Sequence, residues 1–328
     1  MNKKVLNLLE YNKIIDLLSA HAGSALARER INSLAPMSNM RMVKEALTET
    51  TEAVSVILYK GSIPVGEIGN IISLLDIVRK GRALSMRELL AVSRSLAGAR
   101  EVKDFLSSDV PEIPMISEIN SLIAPNPKME SEISRCILSE DEMADNASPE
   151  LNKIRREIRN KNDSIRRKID SYTSVGNNKS YLQEAIVTLR NGRYVIPVKR
   201  EYSSKVPGLI HDQSKTGATF FIEPQAIVSL NNELRELELA EQREIERILQ
   251  MLSDRVGEHY NELKNNQELL VKLDVINAKG RLSVAMEAVA PKLNLEGYLD
   301  IQAGRHPLID MEKVVPIDVN LGDGYNTL

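Results

Sequence analysis

The chain has 328 residues, of which 42% are hydrophobic and 27% are charged, and its net charge is −3. This length predicts two or more structural units, and the composition is ordinary for a soluble folded protein. The nearly neutral balance excludes a protein that is basic throughout, so any contact with nucleic acid has to come from a local basic patch.

Residue usage predicts a helical protein of a reducing compartment. There is no Trp and there are three Phe, so the core is expected to consist of aliphatic side chains, as in packed helices. The single cysteine, Cys136, excludes an internal disulfide and is interpreted as a small buried apolar residue. Asn7 and Glu10 interrupt the apolar start, and no stretch approaches the ~18 apolar residues of a membrane span. We therefore expect a cytoplasmic location and no membrane partner.

Residues 1–147 are predicted to form a helical core and lever. Apolar residues recur there at the steps of three and four that are typical of amphipathic helices, as at Ile14, Leu17 and Leu18. Prolines such as Pro36 and Pro64 separate these short helices.

A long helix is predicted to begin at Ser148. Ser148 can cap it, Pro149 has the φ that a first helical residue needs, and Glu150 suits the positive end of the helix. This outgoing arm helix covers residues 148–178 and ends at Gly176-Asn177-Asn178.

Residues 179–224 change to the pattern of a small β clamp. Four short β-rich runs follow one another, at residues 185–190, 193–200, 208–213 and 219–223. Asn191-Gly192 between the first two is the strongest two-residue hairpin signal. The last two are joined through Lys215-Thr216-Gly217, and together the runs predict an antiparallel four-stranded sheet.

Residues 225–290 return to the helical period and are predicted to form the return arm helix and part of the core. An apolar stripe from Ile227 to Val256 favours one helix about 60 Å long at ~1.5 Å per residue. The segment from Lys153 to Lys168 holds eight basic and two acidic residues, whereas the segment from Glu233 to Arg247 holds six acidic and three basic. The two helices should therefore pair antiparallel, with cations such as Lys153 and Arg156 facing the acidic helix.

The predicted fold class is thus mainly α. It combines a multi-helix core with a long antiparallel coiled-coil arm, and the arm carries the small antiparallel four-stranded β clamp at its tip. Residues 291–328 complete the chain.

Three patterns that resemble catalytic or ligand sites are set aside. His211, Asp212 and Ser214 cannot form a hydrolytic triad on one strand, because neighbouring side chains point to opposite faces. The acidic run Glu140-Asp141-Glu142 with Asp145 is interpreted as a solvated loop, and no Cys/His pairing has zinc spacing. Phe221-Ile222-Glu223 copies the Phe-Xaa-Glu wedge of mismatch readers, but it lies within a strand and is interpreted as part of the sheet. We assign no catalytic residue and no metal ligand.

Basic residues around the predicted hairpin form the candidate nucleic-acid site. They fall within sixteen residues that contain one acid, Glu201. The five are Arg190, Arg193, Lys199, Arg200 and Lys205. Side chains that flank a hairpin turn project at the tip of the sheet, where they can reach phosphates. The alternative interpretation, a solubilising sheet edge, fits the same residues.

The central block resembles the second bacterial branch of the MutS family. The resemblance rests on residues 181–183, 188–199, 207–214 and 217–224. Supporting stretches are residues 145–151, 230–234, 273–279 and Gly304-Arg305-His306-Pro307-Leu308-Ile309. Lys215-Thr216 departs from the smaller residues of the family at that loop.

This resemblance implies a homodimeric ATPase that carries an endonuclease domain. It implies that residues 291–328 begin the ATPase domain and that the ATP-binding loop follows shortly after Leu328. Gly322-Asp323-Gly324 lacks the Lys-Ser/Thr that a P-loop needs, so ATP and Mg are expected in the full-length protein and not in this chain. Two targets stay open, namely branched DNA with suppression of recombination, and the rRNA of collided ribosomes with splitting of their subunits. A coiled-coil scaffold that makes only protein contacts is the alternative.

Overall fold

The computed structural model describes residues 3–66, 69–174, 178–184, 187–310 and 312–322. The predicted helix end at Gly176-Asn177, the start of the first strand at residues 185–186 and residues 323–324 lie outside the described residues. The chain divides into two compact units. The first comprises Met1–Gly81, Glu88–Ser131 and Arg255–Leu328, and the second comprises Arg82–Arg87 and Glu132–Asp254.

The first unit is mainly helical and includes a long helix from the C-terminal part of the chain. Its N-terminal helices are α1 (Lys3–Leu8), α2 (Tyr11–Ala20), α3 (Ala25–Asn32), α4 (Met40–Lys60), α5 (Ile72–Arg79), most of α6 (Met86–Ser107) and α7 (Pro114–Ser121). The helix α8 (Pro127–Cys136) is divided between the two units at Ser131. The C-terminal helix, α12 (Tyr260–Ala285), contributes Leu270, Leu273 and Ile276 to the main aliphatic core. Their partners in that core come mainly from α4, α6 and α7.

Buried polar residues on α12 hold loops of the first unit in place. Asp274 is fully buried and accepts hydrogen bonds from the backbone N–H groups of Gly23 at 2.9 Å and Ser24 at 2.8 Å. The Asn266 amide pairs with the backbone of Ala124 in both directions, at 2.9 and 2.8 Å. Because every buried polar group needs a partner, these residues determine where the loops attach to the helix.

A short sheet near the C-terminus exposes apolar side chains. Strands β5 (Leu299–Gly304) and β6 (Ile317–Leu321) pair antiparallel. Around them Leu295 is 88% exposed and Val315 is 77% exposed. Among the described residues, no helix is long and apolar enough to cross a membrane.

The second unit contains the predicted clamp sheet. Its strands are β1 (Thr188–Arg190), β2 (Arg193–Lys199), β3 (Gly208–Gln213) and β4 (Thr219–Pro224). All neighbours are antiparallel, but the order is β1-β2-β4-β3, so the last strand lies between the second and the third. The register places Ile222 opposite both Ile196 and Ile210. The short helix α10 (Asn178–Tyr181) precedes the sheet.

The long helices of this unit are antiparallel, as predicted. They are α9 (Pro149–Ser174) and α11 (Val228–Glu258), together called the arm helices below. Arg155 Nε donates to Glu241 at 2.6 Å, and Lys161 Nζ donates to Glu233 at 2.5 Å. Residue numbers rise on one helix as they fall on the other, which defines opposite directions. The α11 helix has 31 residues and ends before His259, so at ~1.5 Å per residue it is about 46 Å long and shorter than the predicted 60 Å.

The predicted start of α9 is confirmed. Ser148 Oγ accepts a hydrogen bond from the Leu151 N–H at 3.0 Å and donates one to Glu244 at 2.7 Å. The pKa of Glu244 lies below its ordinary value chiefly because Arg247 hydrogen-bonds to the carboxylate, and the Ser148 hydroxyl acts in the same direction against the effect of burial. The cap therefore links the beginning of α9 to the facing helix.

The sheet packs onto one end of the arm helices. Ile165 and Ile169 of α9 share a buried cluster with Ile196 and Ile222 of the sheet and with Leu234 of α11. This packing confirms the predicted fold class, in which a small antiparallel clamp sits at the tip of a helix pair. It also places the basic hairpin of the sheet beside the end of the helices.

Candidate nucleic-acid interface

The hairpin at Asn191-Gly192 has the predicted turn. Asn191 has φ 51° and Gly192 has φ 74°, the two positive values that a type I′ turn requires. Arg190 and Arg193 face each other across the turn as register partners. Their guanidinium groups nevertheless have different surroundings.

Arg193 is engaged inside the unit. Its Nη1 donates to Glu223 Oε1 at 2.6 Å, and its Nη2 donates to the Asn232 amide oxygen. Glu223 is fully buried, whereas the Arg193 side chain keeps 26% of its exposure. Both terminal nitrogens of Arg193 thus have partners within the fold, so its first role is to neutralise a buried carboxylate.

Glu223 is the centre of a hydrogen-bond network that joins three strands to α11. Besides Arg193 of β2, its carboxylate contacts His211 of β3 through Nε2 and accepts from Asn231 Nδ2 of α11 at 2.7 Å. Asn231 Nδ2 also donates to the Tyr194 carbonyl at 3.1 Å. Hydrogen bonds from these donors offset the free energy that the carboxylate loses when it is removed from water. The network fixes how the sheet meets the helix.

The three residues that were rejected as a triad have separate partners. His211 binds Glu223, Asp212 forms an ion pair with Arg190 at 3.3 Å, and Ser214 Oγ accepts from the Thr219 N–H at 3.1 Å. A base, a nucleophile and an orienting acid are therefore not assembled here.

Arg190 is held in place but remains accessible. Its guanidinium lies 4.1 Å from the centroid of the Phe221 ring, and the side chain is 39% exposed. Phe221 therefore has a place in the sheet, beneath Arg190, which agrees with the interpretation of Phe221-Ile222-Glu223 as sheet residues. A cation above a ring and beside a carboxylate loses little freedom when it meets a phosphate.

Lys199, Arg200 and Lys205 lie at or within the 3-10 turn that follows β2. Lys199 Nζ donates to the Ser180 carbonyl at 3.3 Å. Arg200 is exposed and lies 5.8 Å from the Phe220 ring centroid. Lys205 is exposed and lies 5.6 Å from the ring of Tyr202, which stacks on Tyr181 at 5.0 Å. Arg200 and Lys205 thus lie near aromatic rings and are exposed, whereas Lys199 is half-buried and bonded to the backbone.

The prediction that Lys153 and Arg156 face the acidic helix is wrong. Both are exposed, and the contacts across the arm helices come from Arg155 and Lys161. At 100° per residue, Arg155 and Lys161 flank the buried stripe at Ile154–Ile165, whereas Lys153 and Arg156 lie opposite it. Placing the charged residues on a helical wheel would have distinguished these two pairs from the sequence alone.

The fold is mainly α with a small antiparallel clamp sheet, and comparison with known proteins shows which proteins the chain is similar to. The chain is 46% identical to the Endonuclease MutS2 of Alkaliphilus oremlandii over 330 residues and 42% identical to that of Clostridium botulinum (strain Eklund 17B / Type B) over 330 residues. It is 45% identical to that of Clostridioides difficile over 331 residues. No family model matches the chain. Over its whole length the chain is similar to the MutS2 branch of the MutS family.

Each of these alignments covers 100% of this chain and 42% of the relative. The chain therefore spans less than half the length of the curated relatives that it matches.

Proposed function

We propose that this chain is the nucleic-acid-gripping core and clamp of a MutS-type ATPase. In this proposal the second unit holds the phosphate backbone of branched DNA or of rRNA. The observation that carries the proposal is the set of cations that lie near aromatic rings of the clamp, namely the partly exposed Arg190 and the exposed Arg200 and Lys205. Lys199 joins them through its position at the end of β2, and Arg193 contributes chiefly by holding Glu223.

Restrained cations suit phosphate binding for two reasons. A side chain already ordered against a ring loses less conformational entropy on binding than a free lysine or arginine. Each phosphate that is neutralised also releases a counterion, which favours association at low salt. Neither effect depends on base sequence, so the clamp would hold a nucleic acid without distinguishing one base sequence from another.

A second part of the proposal concerns the full-length protein and not only the portion that this chain covers. The relatives carry the name endonuclease, and the resemblance implies a homodimeric ATPase that uses ATP and Mg. We propose that residues 291–328 begin that ATPase domain, since the β5–β6 pair exposes the apolar side chains that a further layer would cover. A cytoplasmic location is part of the proposal, because bacterial DNA and ribosomes are both found there.

Binding experiments distinguish the two candidate targets from each other and from the scaffold alternative. A branched-DNA clamp would suppress recombination, whereas a ribosome-binding clamp would act on collided ribosomes through rRNA. Phosphate contacts do not distinguish these, so the polymer has to be tested directly. A scaffold that makes only protein contacts predicts no salt-dependent binding to either polymer.

The test compares a clamp variant with a matched control. We expect Arg200→Gln with Lys205→Gln to flatten the log–log salt slope for a fluorescent DNA junction by roughly 1.8, at ~0.9 per lost phosphate contact. The control, Arg235→Gln with Arg243→Gln, removes two exposed cations from α11 and should leave the slope unchanged. Repeating the titration with an rRNA helix and with ribosomes identifies the preferred polymer.

Two results would count against the proposal. If the wild-type chain binds neither polymer in a salt-dependent way, the scaffold alternative is favoured. If the clamp variant and the control lose the same slope, the clamp cations have no special role.

A further inference from the structure

The outer face of α9 carries a row of exposed cations. Between residues 153 and 170 the exposed charged side chains comprise six basic and two acidic residues. The basic ones are Lys153, Arg156, Arg159, Arg166, Arg167 and Lys168, and the acidic ones are Asp163 and Asp170. Lys153, Arg156 and Arg167 lie opposite the buried stripe that includes Ile154, Ile165 and Ile169. Arg159, Arg166 and Lys168 lie toward the two sides of that stripe.

The partner helix does not share this charge. On α11 between residues 228 and 247, the exposed charged side chains comprise three basic and three acidic residues. They are Arg235, Arg243, Arg247, Glu233, Glu236 and Glu246. A surface whose charges served solubility alone would mix both signs on both helices. The arm helices instead have one basic outer face and one balanced outer face.

The cations of this row do not form the ion pairs that hold the two arm helices together. Arg159 pairs with Asp145 at 3.0 Å, and Arg167 hydrogen-bonds within its own helix. In the described part of the chain, Lys153, Arg156 and Arg166 have no carboxylate oxygen within 4.0 Å. The attractions that hold the two helices together come from other residues, so this charge is available to a partner.

The length of the row fits a nucleic-acid duplex. From Lys153 to Arg167 the helix rises about 21 Å at ~1.5 Å per residue, which is the axial length of about six base pairs of duplex at ~3.4 Å each. The nearest aromatic side chain of α9, Tyr172, packs against the clamp core and not on this face. Without exposed rings for stacking bases, the face suits backbone phosphates and not single-stranded bases.

We infer that the outer face of α9 is a second phosphate-binding surface, specific for double-stranded nucleic acid. It extends the grip of the clamp along the arm helices. The clamp end of the row is close to the sheet, because the Tyr194 hydroxyl donates to Asn162 Oδ1 at 2.8 Å and Ile165 packs into the sheet core. This inference rests on the proposed function and adds a site that the hairpin alone does not provide.

The test uses the 328-residue chain with a charge-matched pair of variants. Lys153→Gln with Arg156→Gln removes two exposed cations from the outer face of α9, and Arg235→Gln with Arg243→Gln removes two from α11. Binding to a duplex of about 30 base pairs and to a single strand of the same length is measured over a salt series. We expect the α9 variant to lose about 1.8 in duplex slope, at ~0.9 per contact, with its single-strand slope unchanged and the α11 variant like wild type.

Each of the other outcomes refutes a specific part of the inference or of the proposed function. If the α9 variant matches the α11 variant while the clamp variant loses slope, the arm surface is refuted and the proposed function stands. If the α9 variant loses slope equally on single strands, the specificity for duplex is refuted. If wild type shows no salt-dependent binding to either nucleic acid, the proposed function fails together with this inference. Circular dichroism of all variants shows whether the helices are retained.

Discussion

Glu223 is the residue on which the clamp depends most directly. It is fully buried in a strand whose neighbours are largely apolar, and it has three side-chain partners on three other elements. An isolated buried carboxylate would be strongly unfavourable, so its cation and amide partners are a condition of the fold. Arg193 is consequently a stability residue first, whatever it contributes to binding.

The Glu223 network leads to a stability prediction. Glu223→Gln leaves the Arg193 guanidinium partly buried without its carboxylate, which should lower the free energy of unfolding by about 3 kcal/mol. Urea unfolding followed by circular dichroism measures this change. The exposed α11 residue Glu236 provides the control, since Glu236→Gln should change stability by less than ~0.5 kcal/mol. Equal effects of the two substitutions would show that the network does not stabilise the clamp.

The Arg193–Glu223 pair could not be found from sequence position. Arg193 was assigned to phosphate because it flanks a turn, and Glu223 lies thirty residues further along the chain. Their meeting depends on β4 inserting between β2 and β3, and strand order is a long-range property that local patterns do not encode. The available signal was a single acid in an apolar strand, which indicates a buried partner of opposite charge.

At the scale of elements, the hairpin depends on the backbone and not on its arginines. Gly192 has φ 74°, and a Cβ added there would have no atom within 4 Å, so the cost of a side chain is purely conformational. Gly192→Ala should therefore lower the free energy of unfolding by about 1–2 kcal/mol, and Gly192→Asn by less, because Asn tolerates this conformation. Thermal unfolding of both variants measures the difference. An alanine variant as stable as wild type would mean that the turn relaxes to another type.

Local sequence signals predicted the helix cap and the hairpin turn well. Features that depend on long-range pairing could not be predicted in this way. The Ser148 cap and the Asn191-Gly192 turn each depend on a few adjacent residues, and both are confirmed. The length of α11 was overestimated because the stripe from Ile227 to Val256 covers 30 residues, which span about 45 Å at ~1.5 Å per residue. The orientation of Lys153 and Arg156 was wrong because a count of charges ignores the side of the helix on which they lie.

At the scale of the whole molecule, a net charge of −3 conceals how the charges are distributed. Cations concentrate on the clamp hairpin and on the outer face of α9, while the acids of α11 are partly used in the contacts between the arm helices. The five hairpin residues were identified from sequence as one basic cluster. Their division into Arg193, which faces Glu223, the half-buried Arg190 and Lys199, and the exposed Arg200 and Lys205 required the folded sheet.

The chain as a whole should not bind ATP. Its sequence contains no glycine-rich loop followed by Lys-Ser/Thr, and this portion spans 42% of the relatives that it matches. A site with a micromolar dissociation constant would stabilise the fold by about 4 kcal/mol at about 1 mM ATP, since stabilisation grows with the logarithm of ligand over Kd. We therefore expect no shift in the thermal midpoint with ATP and Mg, and no saturable heat in calorimetry. The same samples should bind a nucleic-acid duplex, which verifies that they are folded. A saturable ATP isotherm in the micromolar range would place a nucleotide site within these residues and refute the prediction.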